Sequence, residues 1–135
     1  KPELFQAVIC GYPVLDMLRY QIFEDGPFWV PEFGSADDPA QFKYLYAYSP
    51  YHNVKAGVKY PAVLLITGDG DTRVAPLHAR KMAARLQAVT ASDRPILLLY
   101  DTKSGHSQGG SLTKQIEEQT NMLSFLFLEL AVKAN

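Results

Sequence analysis

The stretch AVLLITGDGDTRVAP at residues 62–76 decides the prediction of the fold. It opens with an almost continuous apolar run at residues 62–67, which is typical of a strand buried on both faces of a parallel sheet. Similar runs occur at residues 7–10, AVIC, and at residues 96–100, ILLLY. Because helical patterns separate and follow these runs, the sequence predicts an α/β fold in which parallel strands alternate with helices.

The helical patterns differ in length and strength. Amphipathic spacing at residues 76–89 and 112–131 predicts two long helices, and a shorter helix is predicted at residues 39–46. Ser111 suits the N-cap position of the last helix, because its hydroxyl can accept from a free N–H of the first turn. Residues 16–34 contain Gly26, Pro27 and Pro31 and are predicted to form a long irregular excursion. Long excursions in compact domains usually serve function.

The composition describes an ordinary globular domain. The chain has 135 residues, of which 47% are hydrophobic and 20% charged, and its net charge of -1 gives no electrostatic case for nucleic acid or an anionic membrane. The longest apolar stretch, near the C-terminus, is interrupted by Glu129 and is too short to span a bilayer. The single cysteine, Cys10, excludes an intramolecular disulfide, and no pattern indicates a metal or a cofactor. Such cysteine usage is compatible with a reducing compartment, so we favour the cytoplasm over the periplasm.

Acidic and histidine side chains follow two successive predicted strands. Asp69 and Asp71 come just after residues 62–67, and His106 comes after residues 96–100. An acid and then a histidine in these places is the second half of the Ser–Asp–His order of α/β-hydrolases. The histidine of such a triad moves a proton between nucleophile and leaving group, and the carboxylate fixes its tautomer. Taken singly, the acids also suit an ordinary turn and the histidine an exposed loop, but their joint position favours catalysis.

Five short motifs make the sequence similar to a known family. They are KPELF at residues 1–5, DML at 16–18, YSPYHNV at 48–54, DTRVAPLH at 71–78 and DTKSGH at 101–106. With them the chain resembles the prolyl oligopeptidase family of serine peptidases over essentially its whole length. The resemblance implies that residues 1–135 are the C-terminal portion of an α/β-hydrolase catalytic domain, without the nucleophile elbow and the β-propeller of the family. A buried strand near the first residue likewise predicts that further protein precedes this chain.

The resemblance also implies a function. It predicts a serine-type endopeptidase that hydrolyses short peptides on the carboxyl side of proline, through a covalent acyl-enzyme and without a cofactor. The implied partners are a short proline-containing peptide and the remainder of the parent enzyme, which holds the nucleophile and the propeller. Neither nucleic acid nor a membrane is implied. The isolated chain is expected to be inactive, because it lacks the nucleophilic serine.

Individual residues take their expected roles from the matching motifs. Asp71 corresponds to the triad acid, His106 to the triad base, and Arg73 to the arginine that binds a carbonyl of the substrate backbone. Four further residues correspond to the walls of the proline pocket, with a tryptophan on which the proline ring stacks: Val14, Trp29, Phe33 and Val74. Where Phe33 stands the family often has tyrosine, so one hydroxyl is lost. Considered alone, Trp29 also suits core packing, and Arg73 suits a surface ion pair with Asp69.

Two other functions compete with this interpretation. Residues 105–109, GHSQG, match the Gly-x-Ser-x-Gly pattern of a nucleophile elbow, so Ser107 could serve a self-contained esterase-like hydrolase. The order of residues argues against it, because no histidine follows Ser107. A non-catalytic fragment with a vestigial site is the third interpretation. The remaining histidines have predicted structural places, His52 holding a loop by hydrogen bonding and His78 in the first turn of a helix.

Overall fold

The computed structural model describes residues 1–106 and 111–131. Three strands form one parallel sheet in the order β1-β2-β3, with β1 at Ala7–Gly11, β2 at Ala62–Gly68 and β3 at Ile96–Asp101. The register pairs Ala7 with Ala62 and Val63 with Ile96. The predicted parallel α/β arrangement is therefore confirmed.

The helices lie between and after the strands. They are α1 at Val30–Phe33, α2 at Pro39–Tyr48, α3 at Leu77–Val89 and α4 at Leu112–Glu129. Ser111 caps α4 as predicted, since its hydroxyl accepts from the Lys114 N–H. The excursion is less irregular than predicted: single 3₁₀ turns at Tyr20–Ile22 and Gly26–Trp29 lead into α1.

No helix within the described ranges is long and apolar enough to cross a membrane.

Burial along the sheet is concentrated in its middle strand. All seven residues of β2 are buried, whereas β1 and β3 are only partly buried. Continuous apolar sequence thus predicts full burial correctly only for β2, because β1 and β3 form the two edges of this sheet. Cys10 on β1 is half-buried rather than fully buried, and burial raises the pKa of its thiol.

Alternate residues of β2 face two separate helical layers. Val63 and Leu65 pack with residues of α3, whereas Leu64 and Ile66 pack with Phe125 of α4. Successive side chains on a strand point to opposite faces, so one strand contributes to both cores. This three-layer arrangement places the carboxyl ends of all three strands at one edge, where the loops to α3 and α4 begin.

Candidate active site

The Asp71 loop follows β2 and buries its carboxylate completely. The Asp71 side chain is 0% exposed, and its Oδ1 accepts hydrogen bonds from the backbone N–H groups of Arg73 at 3.0 Å and Val74 at 2.8 Å. Aspartate bonds readily to the backbone two and three residues on, so this sequence folds locally into a turn around its own carboxylate. The turn interpretation and the catalytic interpretation therefore describe the same geometry.

His106 lies against this carboxylate from the loop after β3. Its Nδ1 is 2.9 Å from Asp71 Oδ2 and 3.1 Å from Oδ1. Since a carboxylate can only accept, Nδ1 carries the proton and Nε2 keeps a lone pair. The His106 side chain is 30% exposed. A partly exposed imidazole whose tautomer is fixed by a buried carboxylate is able to act as a general base.

The two loops approach each other at glycines. The Gly70 N–H donates to the Ser104 carbonyl at 3.0 Å, and the Asp69 N–H donates to the Asp101 carbonyl at 2.9 Å. A Cβ added to Gly68 would meet the backbone oxygens of Ser104 at 2.5 Å and Gly105 at 2.6 Å. The absence of a side chain at this position is what lets His106 reach Asp71.

Gly68→Ala in the complete protein is therefore expected to force the two loops apart. We expect a loss of about 1–3 kcal/mol of stability, the usual cost of overpacking, together with reduced turnover because His106 moves with Gly105. Gly11→Ala is the matched control, since a Cβ there meets no described atom within 4 Å. Melting temperature and turnover number would be compared for both variants. Equal results for the two would contradict a steric requirement at Gly68.

Arg73 projects from the same turn toward solvent. The residue is exposed, and no ion pair to it occurs within the part of the chain that the structure describes. Asp69, the partner suggested by the sequence, instead accepts a hydrogen bond from the Tyr100 hydroxyl. The guanidinium thus lies two residues from the triad acid candidate and forms no ion pair with any residue that the structure describes.

Three of the four predicted pocket residues meet in one cluster. Val14, Trp29 and Phe33 pack around the buried side chains of Met17, Tyr20 and Leu45. Trp29 stacks near-parallel to Tyr20 at 6.4 Å between ring centroids and meets Phe33 edge-on at 6.5 Å. Trp29 remains partly exposed, so it both anchors the excursion and offers apolar surface. Val74 is buried in the Asp71 loop rather than in this cluster.

A second polar cluster surrounds Asp16 and was not predicted from the sequence. The Asp16 side chain is 1% exposed and is bound by Lys81 of α3 and by the Nε of Arg19 at 3.0 Å. Its backbone N–H donates to His78 Nδ1 at 3.1 Å. The cluster therefore ties the segment next to Val14 to the start of α3. A charged residue between apolar neighbours in the DML motif was the only sequence signal for it.

The pKa values in this cluster reflect burial and charge. Burial would by itself raise the pKa of Asp16, but the hydrogen bond and charge of Lys81, with the charge of Arg19, hold it below its ordinary value. Burial lowers the pKa of His78 to about 4 against the opposing charge of Asp16. His78 is therefore neutral at physiological pH and can accept from the Asp16 N–H.

The adjacent loop is held as the sequence predicts. His52 Nδ1 lies 2.9 Å from Ser49 Oγ, and the same hydroxyl oxygen accepts from the Met17 N–H at 3.1 Å. His78 is the second residue of α3, in its first turn as predicted. These two histidines thus hold loops beside the site and do not face His106.

Tyr12 is a further residue beside His106 that sequence reasoning missed. The two ring centroids are 5.1 Å apart, with a 57° angle between the ring planes. Tyr12 follows β1, whereas His106 follows β3, so only the folded sheet brings them together. Ser107, the nucleophile of the esterase hypothesis, lies outside the described residues.

A parallel sheet covered by helices, with an acid and a histidine beyond successive strands, is the architecture of an α/β-hydrolase. The family model described as "Prolyl oligopeptidase family" matches residues 1–132. The chain therefore belongs to the prolyl oligopeptidase family, whose members are serine peptidases.

Individual relatives agree with this assignment. A prolyl endopeptidase of Elizabethkingia miricola is 42% identical over 134 residues, covering 98% of this chain and 19% of the relative. A prolyl endopeptidase of Dictyostelium discoideum is 39% identical over 138 residues, covering 100% of this chain and 18% of the relative. The chain thus spans about a fifth of the length of the curated relatives it matches.

Solved structures match equally well. A structure from a study of two prolyl endopeptidases superimposes with a TM-score of 0.95 at 45% identity, covering 98% of this chain and 20% of that one. Prolyl oligopeptidase B of Galerina marginata, bound to a 35mer hydrolysis and macrocyclization substrate, gives a TM-score of 0.91 at 31% identity, covering 96% and 18%. The α/β fold and the family are thereby confirmed.

Proposed function

We propose that this chain is part of a serine-type endopeptidase that cleaves short peptides on the carboxyl side of proline. The observation that carries the proposal is the 2.9 Å contact between His106 Nδ1 and the fully buried Asp71 carboxylate. His106 Nε2 would take the proton of a serine hydroxyl supplied by the remainder of the enzyme. Asp71 would stabilise the imidazolium that forms, and His106 would then return the proton to the leaving amine.

Substrate recognition is assigned to the surroundings of this pair. Arg73 would donate to a carbonyl of the substrate backbone, since its guanidinium is exposed and has no ion-pair partner among the described residues. The proline pocket would be formed by the apolar residues Val14, Trp29, Phe33 and Val74. A flat indole face suits a rigid pyrrolidine ring, because their contact buries apolar area and leaves no polar group unpaired.

Hydrolysis of two matched reporter peptides tests this function. The complete protein is expected to cleave a short peptide with proline before the reporter amine, and to cleave the alanine analogue far more slowly. Trp29→Ala should narrow that difference by lowering kcat/KM for the proline peptide selectively. Equal cleavage of both peptides by the wild-type enzyme would contradict a proline pocket, and cleavage of neither would contradict the peptidase.

The isolated chain provides the complementary test, because the proposal places the nucleophile outside it. Folded chain, checked by circular dichroism, is expected to form no adduct with a fluorophosphonate probe when its intact mass is measured. A stoichiometric adduct mapped to Ser107 would support the self-contained esterase instead. The complete protein labelled at a serine outside this chain is the positive control.

A further inference from the structure

Tyr12 adopts a backbone conformation that ordinary side chains avoid. Its φ is 49°, in the left-handed region where a residue with a Cβ is strained. The residue is nevertheless held there, because its N–H donates to the Ile66 carbonyl at 2.9 Å and so extends the pairing of β1 with β2. Strain of this kind persists only where the surroundings enforce it, and it is concentrated at functional sites.

The side chain of Tyr12 is anchored at both ends. Its ring packs against the α4-facing cluster that contains Ile66 and Phe125, and its hydroxyl donates to Glu118 Oε1 on α4 at 3.5 Å. Burial, followed by the charge and hydrogen bond of Glu118, raises the pKa of Tyr12 to about 12. The ring is therefore neutral at any pH at which a peptidase works, and it is fixed in place before a substrate arrives.

The ring so fixed lies beside His106, with its plane inclined at 57° to that of the imidazole. Asp71 holds His106 only along its Nδ1 edge, and a hydrogen bond along one edge leaves the imidazole free to tilt about it. Tyr12, with its centroid 5.1 Å from that of His106, flanks the imidazole and limits this tilt. The distance also lies within the range of about 6 Å at which a cation is attracted to an aromatic face.

We propose that Tyr12 is a positioning residue for His106, flanking the imidazole and favouring the imidazolium that forms during acyl transfer. When His106 accepts the proton of the serine it gains a positive charge, so this attraction strengthens in the transition state. An interaction of that kind raises kcat without changing substrate binding. The inference rests on the proposed function, in which His106 is the general base.

Three variants of the complete enzyme test the proposal. Tyr12→Gly removes the ring but suits the left-handed backbone, whereas Tyr12→Phe keeps the ring and loses only the bond to Glu118. Tyr60→Ala is the control, since Tyr60 is a partly buried tyrosine that packs against the opposite, α3-facing cluster. Tyr60→Ala therefore shows how much stability is lost when a partly buried tyrosine far from His106 is removed.

We expect Tyr12→Gly to lower kcat about tenfold with KM changed less than twofold, the size of effect that a cation–aromatic contact and ring positioning supply. Labelling of the nucleophile by a fluorophosphonate should slow in proportion. Tyr12→Phe should keep most of the wild-type kcat, and Tyr60→Ala should lower melting temperature without lowering kcat. The proposal is overturned if Tyr12→Gly keeps the wild-type kcat, or if Tyr12→Phe loses as much as Tyr12→Gly.

A readout that needs no substrate separates failure of this proposal from failure of the proposed function. The His106 Nδ1 proton, held by Asp71, is expected to give a downfield proton resonance in the complete enzyme. Faster exchange of that proton with water in Tyr12→Gly, but not in Tyr12→Phe, would support positioning even if the wild type cleaved no proline peptide. An unchanged exchange rate in Tyr12→Gly would overturn it.

Discussion

Asp71→Asn in the complete protein is expected to lower kcat by about 10⁴-fold while leaving the fold intact, as for other Ser–His–Asp enzymes. The reason lies in the turn around Asp71. Its Oδ1 accepts from the N–H groups of Arg73 and Val74, so an asparagine would keep its carbonyl oxygen there. Its amide group would then take the place of Oδ2, which lies 2.9 Å from His106 Nδ1.

An amide in that position reverses the hydrogen bond. The asparagine N–H would donate to His106 Nδ1, and the ring proton would move to Nε2. Nε2 could then no longer accept the proton of the nucleophile. Turnover with the proline reporter measures the loss, and the melting temperature shows whether the fold is retained.

Asp69→Asn is the matched control for this experiment. Asp69 lies on the same loop but is exposed and bonded to the Tyr100 hydroxyl. Its replacement is expected to change kcat less than threefold, since surface hydrogen bonds contribute little. A kcat for Asp71→Asn within tenfold of the wild type would show that His106 does not depend on Asp71 for its tautomer.

Lys81→Met is expected to cause the largest loss of stability, about 3 kcal/mol at neutral pH. Lys81 is a principal partner of the Asp16 carboxylate, which is 1% exposed. Removing the lysine leaves a buried charge whose remaining partners among the described residues are Arg19, the backbone N–H of Leu18 and His52, whose Nδ1 lies 3.7 Å from Oδ1. We place the loss at the lower end of the usual range for a broken buried pair, because Arg19 remains.

The double variant Asp16→Asn/Lys81→Met tests whether the loss of stability comes from the unpaired charge on Asp16. It is expected to recover part of the loss, because no unpaired charge remains buried. Lys43→Met, at an exposed position on α2, is the control for removing a surface lysine. Denaturant unfolding of the complete protein measures all three. A double variant less stable than Lys81→Met would contradict an unpaired charge as the cause.

The effect of Lys81→Met should also depend on pH, with a defined sign. The pKa of Asp16 is lowered in the folded chain from 3.8, so its contribution is present above that value and is lost as pH falls through the folded pKa. His78, lowered from 6.5 to about 4, adds a loss of stability between those values, because only the unfolded chain takes up its proton there. The variants are therefore compared above pH 6.5, and their difference from the wild type should shrink below pH 3.8.

The Lys81 variants and Asp71→Asn test two different parts of the proposed site. The Asp16 cluster joins the segment that carries Val14 to the first turns of α3, directly after the Asp71 loop. A weakened cluster should thus displace the pocket walls relative to the triad, whereas Asp71→Asn should disturb only the proton transfer. The two effects are distinguishable, because the first changes KM and stability together and the second changes kcat alone.

Local patterns in the sequence were sufficient for the strands, the long helices and the acid–histidine pair. The apolar runs that became β1, β2 and β3 are visible within a few residues, because burial in a parallel sheet selects for apolar residues strand by strand. Asp71 and His106 were predictable as neighbours because the carboxyl ends of adjacent parallel strands meet at one edge. The roles in proline cleavage that we propose for them rest on the family motifs and not on spacing.

The contacts between segments far apart in the chain follow from the tertiary structure and not from local patterns. Asp16 and His78 are 62 residues apart, and Tyr12 reaches His106 across the width of the sheet, yet none of these residues carries a periodic pattern of its own. The close approach of Gly68 to Ser104 is likewise invisible in a sequence where glycine suits any turn. Such pairs depend on the stacking of α3 and α4 on opposite faces of β2. Local sequence therefore specifies the helices, the strands and the Asp71–His106 pair, whereas packing specifies the contacts that support them.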